Sequence, residues 1–373
     1  MKYRVISADN HVIEPPGTFI DRLPAHLKAR SPRVLPNPVK GGEGWSFDGG
    51  PPSQVFSPPN ELLSAGGYRF DQVRPGNYDG AAHVKDLDID GLDGAVIYPL
   101  VTRQTYELTD RELGIACIRA YNDWLLEDFC SADPSRLFGV CPLPTDDGAE
   151  VMVAEAERTA RKGARAFFLP YYPARPYYDP YYDPLWSFCS ESGIVASLHH
   201  MFGGKRPADR AKIPGVDSDN LRASSTVKSY FSAIDHLTDM ILTGVFQRFP
   251  TLKFMHAEVN VGWAGYWMQQ MYLTVNRPKM KGADWYPNMP TLHPEEHIGT
   301  NVFFTALDDY LGFKLARENT QLANAAMYST DYQHSITLWP DSQTFIPKLT
   351  EGMDDALKYK LLAGNAVRVF NLE

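Results

Sequence analysis

The stretch Arg4-Val5-Ile6-Ser7-Ala8-Asp9-Asn10-His11-Val12-Ile13-Glu14-Pro15-Pro16 decides how the chain is read. Val5, Ile6 and Val12 are β-branched and apolar, as in a buried strand, and Pro15-Pro16 stops it. Side chains alternate along a strand, so Asp9 and His11 point one way and Asn10 the other. An apolar strand that ends by aiming a carboxylate and an imidazole at one spot offers two ligands to a divalent metal. Taken alone, the pair reads first as a turn cap and a satisfied histidine. Further acid and imidazole groups at the ends of later strands decide for the metal.

Outward from this strand, residues 14–78 are rich in Pro and Gly and lack a sustained period. They read as an excursion of short strands and turns near the active-site mouth, ordered by Trp45, Phe47, Phe56, Tyr68 and Phe70. After Asp79 the pattern alternates. Apolar runs predict strands over 95–99, 136–143, 164–169, 193–200, 252–258, 301–305 and 326–331. Helical spacing separates most of them, as in 109–130, 147–162 and 262–277. Eight such runs with crossovers call for parallel strands closing into a (β/α)8 TIM-type barrel, a single domain over residues 1–373. An open doubly wound sheet would want a glycine-rich turn after its first strand, and none is present.

Composition bounds the function. The 373 residues are 44% hydrophobic and 22% charged, which fits a globular enzyme with one large core. A net charge of −9 argues against nucleic-acid or anionic-membrane partners. No apolar run reaches the length of a membrane span. A strand begins almost at once, leaving no room for a signal peptide. Cys117, Cys130, Cys141 and Cys189 form no zinc-type pair, so a reduced, cytoplasmic setting is expected. Twenty Tyr, nineteen Phe and seven Trp exceed what a core needs and point to a pocket or a subunit interface.

In a barrel the chemistry belongs at the C-terminal ends of the strands. The first strand offers Asp9 and His11, and the fifth ends in His199-His200, of which alternation turns only one inward, His199 by preference. The sixth offers His256 and Glu258, two apart and so on one face, and the eighth ends at Asp331 with His334 beyond it.

These residues, together with several longer motifs, resemble the amidohydrolase superfamily, in the amidohydrolase-related branch that includes aminocarboxymuconate-semialdehyde decarboxylase. The resemblance runs nearly end to end. It is carried by Ser7-Ala8-Asp9-Asn10-His11, Ala120-Tyr121-Asn122-Asp123-Trp124, Asp133-Pro134-Ser135-Arg136-Leu137, Phe249-Pro250-Thr251-Leu252-Lys253, Ser329-Thr330-Asp331-Tyr332-Gln333-His334 and Gly364-Asn365-Ala366-Val367-Arg368. The resemblance implies Asp9, His11 and His199 as metal ligands and Asp331 as a ligand that also shuttles a proton. Many relatives carry His followed by glycines on strand six. This chain reads His256-Ala257-Glu258-Val259-Asn260-Val261-Gly262-Trp263, and anchoring on Gly262-Trp263 puts Glu258 at the ligand position. An added carboxylate lets the set hold two ions, and an aspartate at the first position shifts preference from zinc toward iron or manganese.

The expected cofactor is therefore one or two divalent ions, zinc or, in a dinuclear site, iron or manganese. The expected reaction is hydrolysis of an amide, ester or thioester of a small organic substrate by metal-activated water. Asp331 would take the proton, and His256 or His334 would help to polarise the carbonyl. Non-redox decarboxylation of an unsaturated or aromatic carboxylate is the first alternative, and it wants a cation such as Arg103 or Arg206. A dinuclear oxygenase and a non-catalytic partner subunit are the others. A homo-oligomer, or a complex with a related subunit, is expected.

Overall fold

The computed structural model describes residues 2–53, 67–205, 218–277 and 293–372. β1 (Ile6–His11) leads into the excursion, where β2 (Arg33–Pro36) and β3 (Glu43–Ser46) form an antiparallel hairpin. Then come β4 (Gly94–Tyr98), β5 (Leu137–Pro142), β6 (Ala166–Phe168), β7 (Val195–His199), β8 (Phe254–Ala257), β9 (Val302–Ala306) and β10 (Ala326–Tyr328). The hydrogen-bonded order β1-β4-β5-β6-β7-β8-β9-β10 is parallel throughout. Helices such as Arg111–Asp123, Ala149–Arg161 and Ala264–Asn276 make the crossovers.

Closure comes just past the last strand. The Asp331 N–H donates to the Asp9 carbonyl at 3.0 Å, and the His11 N–H to the Tyr332 carbonyl at 2.7 Å. The fold is therefore the (β/α)8 barrel that the strand pattern predicts.

Alternation along the strands separates two apolar layers. Ile6, Ala8, Val96, Tyr98, Val140, Phe168, Val195, Met255, Phe303 and Met327 pack together inside the barrel. Val369 and Phe370, from the helix Asn365–Phe370, join that cluster. Their neighbours Ile97, Leu198, Phe254, Phe304 and Tyr328 belong to the layer between sheet and helices. Local signals set the crossovers. Asp79 caps the helix Gly80–Asp90 by accepting the Ala82 N–H, and Gly91, at φ 70°, ends it in left-handed backbone.

The excursion holds its own aromatic pairs, with Phe19 and Trp45 ring centres 5.3 Å apart. Arg30 pairs with Asp110, and Arg22 with Asp128 at 2.5 Å, tying it to the elements around the helix Arg111–Asp123. Phe56 lies outside the described residues. All four cysteines are free and buried. Among the described residues no helix is long and apolar enough to cross a membrane.

Candidate metal centre

The first two candidate ligands owe their direction to an irregularity in β1. Its register against β4 shifts between Ser7 and Asn10. Before the shift Ile6 and Ala8 face the barrel interior. After it Asp9 and His11 approach His199 and Asp331 at the mouth. Ser7 and Asn10 take the other side, where the Ser7 and Thr330 hydroxyls lie 2.6 and 2.9 Å from Asn10 Oδ1. Asn10 Nδ2 lies 3.3 Å from His83 Nε2, and His83 Nδ1–H donates to the Gly76 carbonyl at 2.8 Å. Burial pushes His83 down to about 4, so this imidazole is neutral and suits one donor and one acceptor role.

Three further members stand in left-handed backbone. His200, Glu258 and Asp331 have φ of 46°, 56° and 50°, and Asn260 follows at 57°. Such values are uncommon away from glycine and concentrate where a site imposes them. Here they bend the chain at the ends of β7 and β8 and beyond β10. Alternation predicts that only one of His199 and His200 turns toward the site, but both reach Glu258. His199 Nδ1 lies 3.6 Å and His200 Nδ1 3.0 Å from its Oε2.

The donor atoms converge tightly. Asp9 Oδ1 is 3.0 Å from His199 Nε2 and 3.5 Å from His11 Nε2, and His11 Nε2 is 3.3 Å from Asp331 Oδ1. Atoms bound to one ion at about 2.1 Å stand about 3.0–3.4 Å from one another. The spacing fits a shared cation. Two sets, Asp9 with His11 and His199, and His11 with Asp331 and His334, gather this closely. Both ring nitrogens of His11 are buried with no hydrogen-bond partner among the described residues. A buried imidazole without a partner is the chemistry expected of a ligand.

Electrostatics point the same way. Burial drives His11 down to about 4 and His199 to about 3, leaving neutral lone pairs for a metal. Burial lifts Asp9 above the usual carboxylate range. For Asp331 burial is outweighed by His334 and His11, which hold it low. For His334 burial is outweighed by Asp331, 2.9 Å away, which raises it to about 9. Glu258, also against its burial, is lowered by His200 and His199. Three carboxylates in so small a volume call for a cation.

The predicted residues Asp9, His11, His199, Glu258, Asp331 and His334 thus meet at one place. His256 does not. The two-residue spacing predicts a shared face for His256 and Glu258, yet Glu258 lies past the end of β8, where its left-handed backbone swings it inward. His256 sits on the outer side, its Nε2–H donating to the His200 carbonyl at 2.8 Å, beside Ser232 and Tyr171.

Several neighbours carry no sequence signal as strong. The Thr305 hydroxyl accepts the Glu258 N–H at 2.7 Å and lies 3.4 Å from Asp9 Oδ2; a lone polar residue in an apolar strand was its only mark. Tyr98 underlies His199, ring centres 4.8 Å apart, and bonds Ser197 at 2.7 Å. Phe202 stacks on His199 and His200, and the Arg103 guanidinium lies 3.8 Å from the Phe202 ring centre. Arg206 lies outside the described residues. A cavity of about 1370 Å³ is lined by Tyr106, Tyr171, Tyr172, Met201 and His236 among others, and no candidate ligand lines it. Backbone bonds join Tyr171 to Phe202 and Tyr172 to Gly203 along its edge. At Gly204, φ 82°, a Cβ would collide with the Tyr172 carbonyl.

Comparison with known proteins agrees with this fold. The family model described as Amidohydrolase matches residues 84–372. None of the curated proteins matches the chain. An amidohydrolase of Mycobacterium avium subsp. paratuberculosis K-10 superposes with a TM-score of 0.74 at 19% identity, covering 99% of this chain and 98% of that one. The 5-carboxyvanillate decarboxylase of Sphingomonas paucimobilis gives 0.64 at 19% identity, covering 99% of each chain. A dihydroxybenzoic acid decarboxylase of Polaromonas sp. JS666, solved with manganese and 2-nitroresorcinol, gives 0.61 at 16% identity, covering 99% and 97%. At these identities the likeness is one of fold.

Proposed function

The chain belongs to the amidohydrolase family, and on that footing we propose that it is a metal-dependent, non-redox decarboxylase of a small aromatic or unsaturated carboxylate. The observation that carries this reading is Arg103, whose guanidinium lies against Phe202, the ring stacked on His199 and His200. A planar guanidinium grips a carboxylate through two parallel hydrogen bonds. The decarboxylases among the superposable structures support the same choice over the hydrolysis that the sequence favours.

Asp9, His11, His199 and Asp331 would hold one divalent ion, and Glu258, with His200 3.0 Å away, brings a further carboxylate beside them. The mixed set of carboxylates and imidazoles suits a borderline to hard ion such as manganese, the ion in the Polaromonas structure. When bound, the cation supplies Lewis acidity toward substrate oxygens. The protein does the rest. Arg103 orients the carboxylate, and Phe202, packed between it and the histidine rings, holds the guanidinium in place. The carbon that loses carbon dioxide must gain a proton, and the Asp331–His334 pair is placed to hold it.

Hydrolysis stands as the second reading, because the same pair suits proton transfer from water. Metal-loaded protein should release carbon dioxide from members of a hydroxybenzoate and enoate panel, without oxygen uptake. Arg103→Met should raise KM roughly tenfold or more. Cleavage of esters or amides with no carbon dioxide from any acid would overturn the decarboxylase in favour of the hydrolase. Oxygen uptake would identify oxygenase chemistry.

A further inference from the structure

Glu14 lies in the same opening stretch as Asp9 and His11 and takes no part in the chemistry above. It is fully buried, and no ion pair to it is found among the described residues. Its carboxylate is instead saturated by one short segment. The Val101 N–H reaches both oxygens, at 3.0 and 2.9 Å, and the Thr102 N–H and hydroxyl reach Oε1 at 2.8 and 2.7 Å. That segment opens the helical turn Thr102–Glu107, whose second residue is Arg103.

The rest of the turn is pinned as well. Thr105 donates to the Thr102 carbonyl at 2.7 Å, and the Tyr106 hydroxyl to the Leu143 carbonyl at 2.9 Å. On the other side Val12 and Ile13 donate to the Tyr98 and Asn77 carbonyls at 3.2 and 2.7 Å, holding the chain between His11 and Glu14. A short, braced path therefore links a candidate metal ligand to the base of Arg103. A buried carboxylate without a cation is costly, and a glutamine would turn an NH2 toward donors that need an acceptor.

We propose that Glu14 is a positioning residue: by holding Val101 and Thr102 it aims Arg103 at the metal centre and so sets the capture of the substrate carboxylate. This rests on the decarboxylase reading. It differs from a purely structural role in one respect. The effect of Glu14 on ligand capture must pass through Arg103.

The test is a double-mutant cycle on metal-loaded protein, with 2,6-dihydroxybenzoate binding followed by calorimetry, and KM and kcat measured where turnover occurs. Glu14→Gln should weaken binding about tenfold with metal content unchanged, and in an Arg103→Met background it should cost less than about twofold. Thr102→Val, which removes a single hydrogen bond, should shift affinity in the same direction by less, and it carries the cycle if Glu14→Gln does not fold. Equal losses in both backgrounds, or loss of metal in step with affinity, would leave Glu14 a structural anchor and overturn the inference. Should Glu14→Gln and Thr102→Val both bind as tightly as the parent, the inference fails while the decarboxylase reading stands. If the unaltered protein binds no aromatic or unsaturated carboxylate, the decarboxylase reading fails first and takes the inference with it.

Discussion

His200 Nδ1 meets Glu258 Oε2 at 3.0 Å because both residues occupy left-handed backbone at the ends of adjacent strands. Neither position is a glycine, so the bend carries a conformational cost of about 1–3 kcal/mol at each. The strand ends sustain it because the neighbouring backbone is pinned. Glu258 N–H bonds Thr305, and the His200 carbonyl accepts from His256.

An order of severity follows for the two polar residues at and just past the end of β8. Glu258→Gln should lose more metal and more activity than His256→Gln. The glutamate is at the donor cluster, whereas a glutamine at 256 can still donate to the His200 carbonyl. Loss of an outer partner costs about 10–100-fold, so His256→Gln should fall within that range and keep its metal. Metal analysis of the two variants, purified without chelators, decides. An empty site in His256→Gln with a filled one in Glu258→Gln would place the ligand at 256 instead.

Metal content itself is the second prediction. Purified protein should carry one or two equivalents of a divalent transition metal, and Asp9→Ala combined with His11→Ala should abolish binding. Circular dichroism should show the barrel still folded, since apolar packing dominates its interior. Full metal retention in the double variant would rule out the cluster as drawn.

Asn10 tests whether the outside of the barrel shapes the inside. Asn10→Ala removes the acceptor that the Ser7 and Thr330 hydroxyls share, leaving the direct bond from the Thr330 N–H to the Ser7 hydroxyl and every donor atom of the centre in place. Metal affinity, read by competition with a chromogenic chelator, should fall about 10–100-fold. An affinity equal to that of the parent protein would show that the ligand strands need no such tie.

His83 makes stability depend on pH. Its pKa lies near 6.5 when unfolded and falls to about 4 in the folded protein because burial disfavours its charge. Between these values the unfolded chain binds more protons. The stabilisation is present above about pH 6.5 and is lost as pH falls toward 4. Urea midpoints at pH 7 and pH 5 should therefore differ more in the parent protein than in His83→Gln. Equal differences would mean that His83 does not contribute to acid sensitivity.

How much of this was legible depends on the residue. Strands such as β7 and β8 were readable because both faces are buried, making each an unbroken apolar run. Asp9 and His11 were readable as a pair from their spacing. The shift that turns them toward the site after Ala8 left no mark in the residue types. The same holds for His200 and Glu258. Period-two reasoning assigns each a face, and a left-handed φ at a non-glycine residue reverses it. Arg103 read equally well as a surface cation, because its place beside Phe202 is a contact between residues about a hundred positions apart.

The seam where the first strand meets the segment after the last one has a consequence for how the protein is made. Ser7 and Thr330, which brace that seam, are 323 positions apart. During synthesis Asp9 and His11 leave the ribosome long before Asp331 exists, so the early half of the donor set waits for the final strand. Contacts of such sequence separation form late and slowly. The candidate donor set is therefore completed last and marks a finished barrel: a nascent or truncated chain ending before β10 lacks Asp331, one of its members.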